Sequence, residues 1–181
     1  MQAFRRESEG YVSSVDEMER GILLTIVEDV SALLSQEEQG GHRGIVDPAL
    51  MRLFPAASLS DPELASEIRG LTFDEISRTK ASSLEVVTEQ LRRPHGHVTV
   101  PEGAVQDWLR ALNDVRIVLA ERLGISDGAD AERFYQMALE ATQNPDEEEN
   151  CGDEQTVALA SLYSGISWWQ GSLLEALGSE R

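Results

Sequence analysis

Apolar residues in this chain return at helical spacing in segment after segment, and residues that start or stop helices bracket each segment. The clearest face is Trp108, Leu112, Val115, Leu119 and Leu123, with Pro101 early in its helix. A second, Leu159, Leu162, Ile166, Trp169 and Leu173, predicts a final helix from about Glu154 to Leu177. A third opens near Asp16, where Glu17 and Glu19 suit the positive end of the helix dipole. Its stripe is Ile22, Ile26, Val30 and Leu33, widened by Leu23, Val27 and Leu34, and Gly40-Gly41 ends the region. Stripes of this kind are buried against one another, which predicts an antiparallel helical bundle.

Turn and cap residues set the remaining boundaries. Asp47-Pro48-Ala49-Leu50-Met51-Arg52-Leu53-Phe54-Pro55 reads as a short helix with an N-cap, a proline at the first helical position and a proline stop. Ser60-Asp61-Pro62 repeats the start signal. Gly70 is expected to interrupt the helix that follows, because Thr72-Phe73-Asp74-Glu75 has capping-box spacing. Phe73, Ile76, Leu84, Val87 and Leu91 then mark one face as far as Arg92-Arg93-Pro94. Residues 129–142 form another helix with a thinner face of Phe134, Met137, Ala138 and Ala141.

Two segments read as β-structure. Ala3-Phe4-Arg5-Arg6 and Tyr11-Val12-Ser13 flank Ser8-Glu9-Gly10, a hairpin over residues 2–14 in which Gly10 supplies a positive φ. His97-Val98-Thr99-Val100 is a short strand whose natural partner is that hairpin. The expected fold is mainly α: one domain over 1–181, with a helical core at 16–142 and a C-terminal helix at 154–178. Between them, residues 144–154 hold six acids in eleven positions and read as a solvated acidic loop.

Charge narrows the partners. Fifteen basic residues against 33 acids give −18, a field that a duplex phosphate backbone repels. Direct DNA binding is therefore disfavoured unless arginines gather locally, whereas a basic protein is attracted and solubility is served. Lys80 is the lone lysine among 14 arginines, a bias that reads as a GC-rich coding sequence. No apolar run approaches the roughly 20 residues that span a bilayer. The N-terminus turns polar where a signal peptide needs its apolar core, so a cytoplasmic protein with no membrane partner is expected. Nothing in the pattern opposes a homo-oligomer.

No motif carries chemistry. His95-Gly96-His97 matches no common zinc spacing, and Asp146-Glu147-Glu148-Glu149 lacks the glycine and alternating ligands of a calcium loop. Gly-x-Ser-x-Gly, Walker and Gly-x-Gly-x-x-Gly patterns are absent, so no catalytic, cofactor-binding or metal residue is assigned. Cys151 is the one candidate redox residue, although Glu149, Asp153 and Glu154 disfavour its thiolate. Arg5-Arg6 and Arg92-Arg93, with His95 and His97, are candidate contact residues that meet in one patch if the strand at 97–100 pairs with the hairpin. Asn113, Asp114 and Arg116 flank the Trp108 face and read as structural polar groups, Arg116 reaching a carboxylate on a neighbouring helix. Trp169 shares the buried face of its helix, while Trp168 points elsewhere and is a candidate interface anchor.

Three stretches together carry a resemblance: Asp47 to Pro55; Trp108-Leu109-Arg110-Ala111-Leu112-Asn113-Asp114-Val115-Arg116-Ile117-Val118-Leu119; and Tyr163 to Leu177 with Trp168-Trp169-Gln170. With the arginine-bearing hairpin ahead of them, they resemble the actinobacterial family of unknown-function proteins that includes the oxidative stress regulator AosR. The resemblance covers nearly the whole chain. It implies a transcription-associated regulator that binds a sigma factor, through a redox switch in which an intramolecular disulfide strengthens that contact. One cysteine cannot form that disulfide, so a switch here is absent or works between chains through Cys151. The expected function is a non-enzymatic regulator acting on a sigma factor or related transcription component. An adaptor for a proteolysis or biosynthesis complex and a carboxylate–metal enzyme are the rival readings.

Overall fold

The computed structural model of the chain describes residues 1–39, 47–55, 61–93, 96–143 and 153–179. Strands β1 (Arg5–Glu7) and β2 (Gly10–Ser14) turn back over Ser8-Glu9. β3 (His97–Val100) adds antiparallel to the free side of β2, with Tyr11 opposite Val100 and Ser14 opposite His97. The strand distant in sequence does pair with the hairpin. Gly10 has φ +132°, and a Cβ built there would stand 2.2 Å from the Val100 carbonyl oxygen. Its lack of a side chain therefore serves the strand-to-strand approach as well as the turn.

Six α-helices and one 3-10 turn (Glu102–Ala104) make up the rest of the regular structure among the described residues. Helix α1 (Glu17–Gln39) starts on a reciprocal cap, Asp16 Oδ1 accepting from Glu19 N and Glu19 Oε2 from Asp16 N. Its buried stripe is Leu23, Val27, Val30 and Leu34, while Ile22 is 42% exposed. The core face is thus rotated by one residue from the expected Ile22–Ile26–Val30–Leu33 line. Apolar residues fill both lines, so packing against the following helices decides between them. Helix α2 (Pro48–Leu53) is capped by Asp47, which accepts from Ala49 N, and Pro55 follows its end as expected.

Helix α3 (Pro62–Leu91) runs without a break through Gly70. The expected capping box does not form, and Thr72 Oγ1 instead donates back to the Ile68 carbonyl. A glycine inside a helix costs only about 1 kcal/mol relative to alanine. Packing of α3 against α1 and α4 (Val105–Arg122) outweighs that cost. Ile76, expected on the buried face, is 42% exposed. The buried line runs Phe73, Ser77, Leu84, Val87 and Leu91, with Lys80 at its middle.

Helix α4 is the axis of the bundle. It packs against α1, α2, α3 and α6 (Glu154–Gly178), and its buried residues point several ways: Val105, Trp108, Ala111, Leu112, Asp114 and Val115 among them. Helix α5 (Gly128–Gln143) lies on α6 and closes a smaller cluster of Ile125, Phe134, Ala138 and Ala160. No helix of the described residues is long and apolar enough to cross a membrane.

The sheet is locked to the helices by aromatic rings. Phe4 stacks on Trp169 at 4.9 Å between centroids, and Trp108 meets Trp169 edge-on at 5.6 Å. Trp169 Nε1 donates to Ser13 Oγ at 2.8 Å, and Ser13 Oγ donates on to the Gln2 carbonyl. From the other side, Phe4 N donates to Ser172 Oγ, which donates to the Trp169 carbonyl. The polar atoms of Trp169, Ser13, Phe4 and Ser172 in this junction are thus paired, as buried polar groups ordinarily are, while the buried Trp108 Nε1 has no partner among the described residues.

Gly10→Ala should lower stability by at least about 2 kcal/mol, from the forced φ together with the overlap on Val100. A urea midpoint that falls with unchanged slope would report this. An unchanged midpoint would mean that β3 does not press on Gly10 as described.

Candidate functional site

A polar seam inside the helical core comes first. Lys80 Nζ on α3 lies 2.6 Å from Asp114 Oδ1 on α4, and the carboxylate side chain is only 3% exposed. One turn away, Ser83 Oγ donates to Asp107 Oδ1 at 2.9 Å. Asp114 Oδ2 is buried without a hydrogen-bond partner. Burial raises the Asp114 carboxyl above its ordinary value, while the hydrogen bond and the charge of Lys80 pull it down. Lys80 is the residue that sequence reasoning passed over. The available signal was its standing as the lone lysine among arginines, at the position where the α3 stripe lacked an apolar residue.

Asp114 sits wholly within the core and Asn113 faces solvent, so two neighbouring polar residues expected together beside the Trp108 face part company. Arg116 crosses to α6, but its partners are not the expected carboxylate. Nε donates to Ser167 Oγ at 2.9 Å and Nη1 to Gln170 Oε1 at 2.6 Å. Gln170 is itself fixed, its Nε2 donating to the Leu109 carbonyl. The guanidinium carbon lies 5.9 Å from the centre of the Tyr163 ring. Two neutral acceptors and an aromatic face thus hold Arg116 in place.

Arg116 opens onto a cleft of about 560 Å³ between α2, α4 and α6. Asn113, Arg116 and Tyr163 line one side, and Met51, Arg52 and Pro55 line the α2 side. Ile117 and Ala120 complete it. Ion pairs at the foot of α4 seat α2 against this wall. Arg52 Nε lies 2.5 Å from Glu121 Oε2, and Arg122 Nη2 lies 2.7 Å from Asp47 Oδ2. The Arg122 hydrogen bond leads in holding the Asp47 carboxyl below its ordinary value, burial opposes it, and the Ala49 amide adds to it. Arg52 Nη1 also donates to the Ile125 carbonyl.

Arg6 and Arg92, one from each arginine pair, are each engaged by a different carboxylate. Arg5 and Arg6 are on edge strand β1, where Arg6 pairs with Glu102 at 2.7 Å. Arg92 and Arg93 follow α3 on the β3 side of the sheet, where Arg92 pairs with Glu28 at 2.8 Å. Strand β2 separates β1 from β3 by two strand spacings, about 10 Å. His97 is exposed and its carbonyl accepts from Arg20. Trp168 is 52% exposed on α6. Cys151, His95 and the acids Asp146 to Glu149 lie outside the described residues. Among the described residues, no group of three His, Cys, Asp or Glu is placed to hold a metal ion.

Lys80→Met removes both influences that lower the Asp114 carboxyl, leaving a buried charge unpaired at neutral pH. The loss should be about 3 kcal/mol at pH 7. An acid whose folded value is raised takes up its proton in the native state first, so its folded form gains stability as pH falls through that value. The deficit of the variant should therefore shrink on acidification, read by urea titrations at a series of pH values. A deficit that stays constant with pH would remove Asp114 as its cause.

No curated protein and no solved structure matches the chain. The model of one family does, over residues 1–177, and by that match the chain belongs to the family defined by the domain of unknown function DUF2017.

Proposed function

We propose that this chain is a non-enzymatic regulator that acts by docking on another protein through α6. The observation that carries this reading is Trp168. Its indole is 52% exposed on a helix whose opposite side, through Ile166, Trp169 and Leu173, is sealed in the core. Gly165 and Gly171, one turn to either side, carry no side chains; a Cβ at Gly171 would meet nothing within 4 Å, while one at Gly165 would lie 3.5 Å from the Met1 side chain. Leu174, also 52% exposed, adds apolar surface on the same helix. A large ring left half in water, with no side chain on those glycines to shield it, gains free energy when a partner covers it, and tryptophan leads the residues that dominate interfaces.

The partner is a transcription component, on the resemblance to the actinobacterial family that includes AosR, and a sigma factor is the specific expectation. The net charge of −18 supports a basic partner, which it would draw in by long-range attraction. Oxidative stress is the regulatory setting that the same resemblance suggests.

Titration of purified sigma factors from the source organism onto the chain should find one that binds. Trp168→Ala should weaken that complex about 30-fold, the scale of a hot-spot residue, without lowering the thermal midpoint of the free chain. Absence of binding by every sigma factor would overturn the partner assignment. A variant that binds as tightly as the parent would overturn the role of α6.

A further inference from the structure

Arg6, Arg52, Arg92, Arg110, Arg122 and Arg133 each pair with a carboxylate. Arg116, more enclosed than most of them, does not. Among the described residues its partners are a hydroxyl, a carboxamide and an aromatic ring, and Nη2 has no hydrogen-bond partner. In a chain with 33 acids and 15 basic residues, counter-ions are abundant, yet among the described residues none is set against this guanidinium. Enclosed charges are ordinarily paired. The cleft that Arg116 lines repeats the anomaly: among the described residues its lining includes two arginines and no acid.

The bracing of Arg116 has the form of a prepared donor. Ser167 and Gln170 take Nε and one Nη1 proton, which fixes the plane of the guanidinium, and Leu109 fixes Gln170 in turn. The uncommitted N–H groups then meet an incoming acceptor without further ordering cost. A planar guanidinium suits a carboxylate, with which it makes paired, charge-assisted hydrogen bonds. Asn113 and Tyr163 add polar groups beside it, and Met51, Pro55, Ile117 and Ala120 offer apolar contact further along the cleft. Glu121 already neutralises Arg52. Among the described lining residues Arg116 is then the cation without a carboxylate partner, and beside an apolar wall it selects a singly charged, amphiphilic ligand over a phosphate ester.

We propose that the cleft between α2, α4 and α6 binds a small monocarboxylate, its anionic head on Arg116 and its apolar body along Met51, Pro55 and Ile117. This site is separate from the exposed face of Trp168 and stands whether or not that face docks a protein.

The test uses hexanoate as probe, with the full chain and its backbone and arginine side-chain NMR signals as readout. Hexanoate should shift the Arg116, Asn113 and Tyr163 signals saturably, with a Kd of about 1 mM or tighter. Hexan-1-ol, which has the same apolar body without the charge, should shift them at least tenfold more weakly. Arg116→Gln should lower affinity about tenfold or more. Because that variant also disturbs the Ser167 and Gln170 bracing, Asn113→Glu provides an independent arm. Asn113 is exposed and one turn from Arg116, so a glutamate there supplies the missing counter-ion at helical i, i+3 spacing without touching the core. Asn113→Glu should keep or slightly raise the thermal midpoint and lower hexanoate affinity at least tenfold. The proposal is overturned if hexanoate does not saturate, if both variants bind like the parent, or if hexan-1-ol binds as well as hexanoate. Displacement of hexanoate by equimolar inorganic phosphate would also overturn it, because it would make the cleft a general anion site.

Discussion

The hydrogen bond from Trp169 Nε1 to Ser13 Oγ joins residues 156 positions apart, and the rest of the architecture depends on it. Without a helix to lean on, a small sheet of three-, five- and four-residue strands would be marginal. Trp169 supplies that support, with the Phe4 ring stacked on one side of the indole and the Trp108 edge against it. Truncating a buried aromatic costs about 3–5 kcal/mol, and removing its Ser13 acceptor instead would orphan the indole N–H at about 1–3 kcal/mol. The junction therefore ties the start of the chain to its last helix with an energy comparable to a sizeable share of a small domain's net stability. It also makes the fold depend on contacts distant in sequence, since the hairpin is stable only once α4 and α6 are in place.

A second constraint follows from making α4 the axis. A helix in contact with four others has little polar surface to spare, yet α4 carries Asp114 into the core and must meet its charge there. Lys80 does so with a compact ammonium that reaches one carboxylate oxygen and leaves the other unpartnered. An arginine fork presents several donors in one plane and needs more room and more acceptors. That accounts for a lysine at this position in a chain that otherwise uses arginine throughout. The pair costs more in desolvation than an apolar pair would, but it fixes the register of α3 on α4, because sliding by a turn would leave two charges unpaired.

Much of the fold was legible because it is written locally. The caps at Asp47 and Asp61, the proline after α2, and the hairpin itself all follow from residue chemistry within a few positions. Departures occur where two local signals compete and packing arbitrates. In α1 two apolar lines differ by one residue, and only contact with α3 and α4 selects Leu23 over Ile22. At Gly70 a stop signal worth about 1 kcal/mol yields to a helix whose later turns pack against α1 and α4. The polar groups were the least legible. Asn113, Asp114 and Arg116 are visible as polar residues beside an apolar face, but sequence spacing does not say that Asp114 turns inward to α3. Nor does it say that Arg116 lands on Ser167 and Gln170 in place of a carboxylate, because the partner lies 51 to 54 positions away.

The stretch of α6 from Tyr163 to Gln170 joins these constraints. Trp169 anchors the sheet, Ser167 and Gln170 brace Arg116, Tyr163 lines the cleft, and Trp168 stands in solvent between residues that are all fixed. An exposed tryptophan on a mobile loop would lose conformational entropy on being covered. Here the backbone on both sides of Trp168 is immobilised by its neighbours' contacts, so only the rotation of the indole remains to be ordered. That lowers the entropic cost of covering it and raises the share of its apolar area that appears as affinity. The buried faces of α6 thus preorganise its exposed one, and substitutions at Ser13, Ser167 or Gln170 act on that surface without touching it.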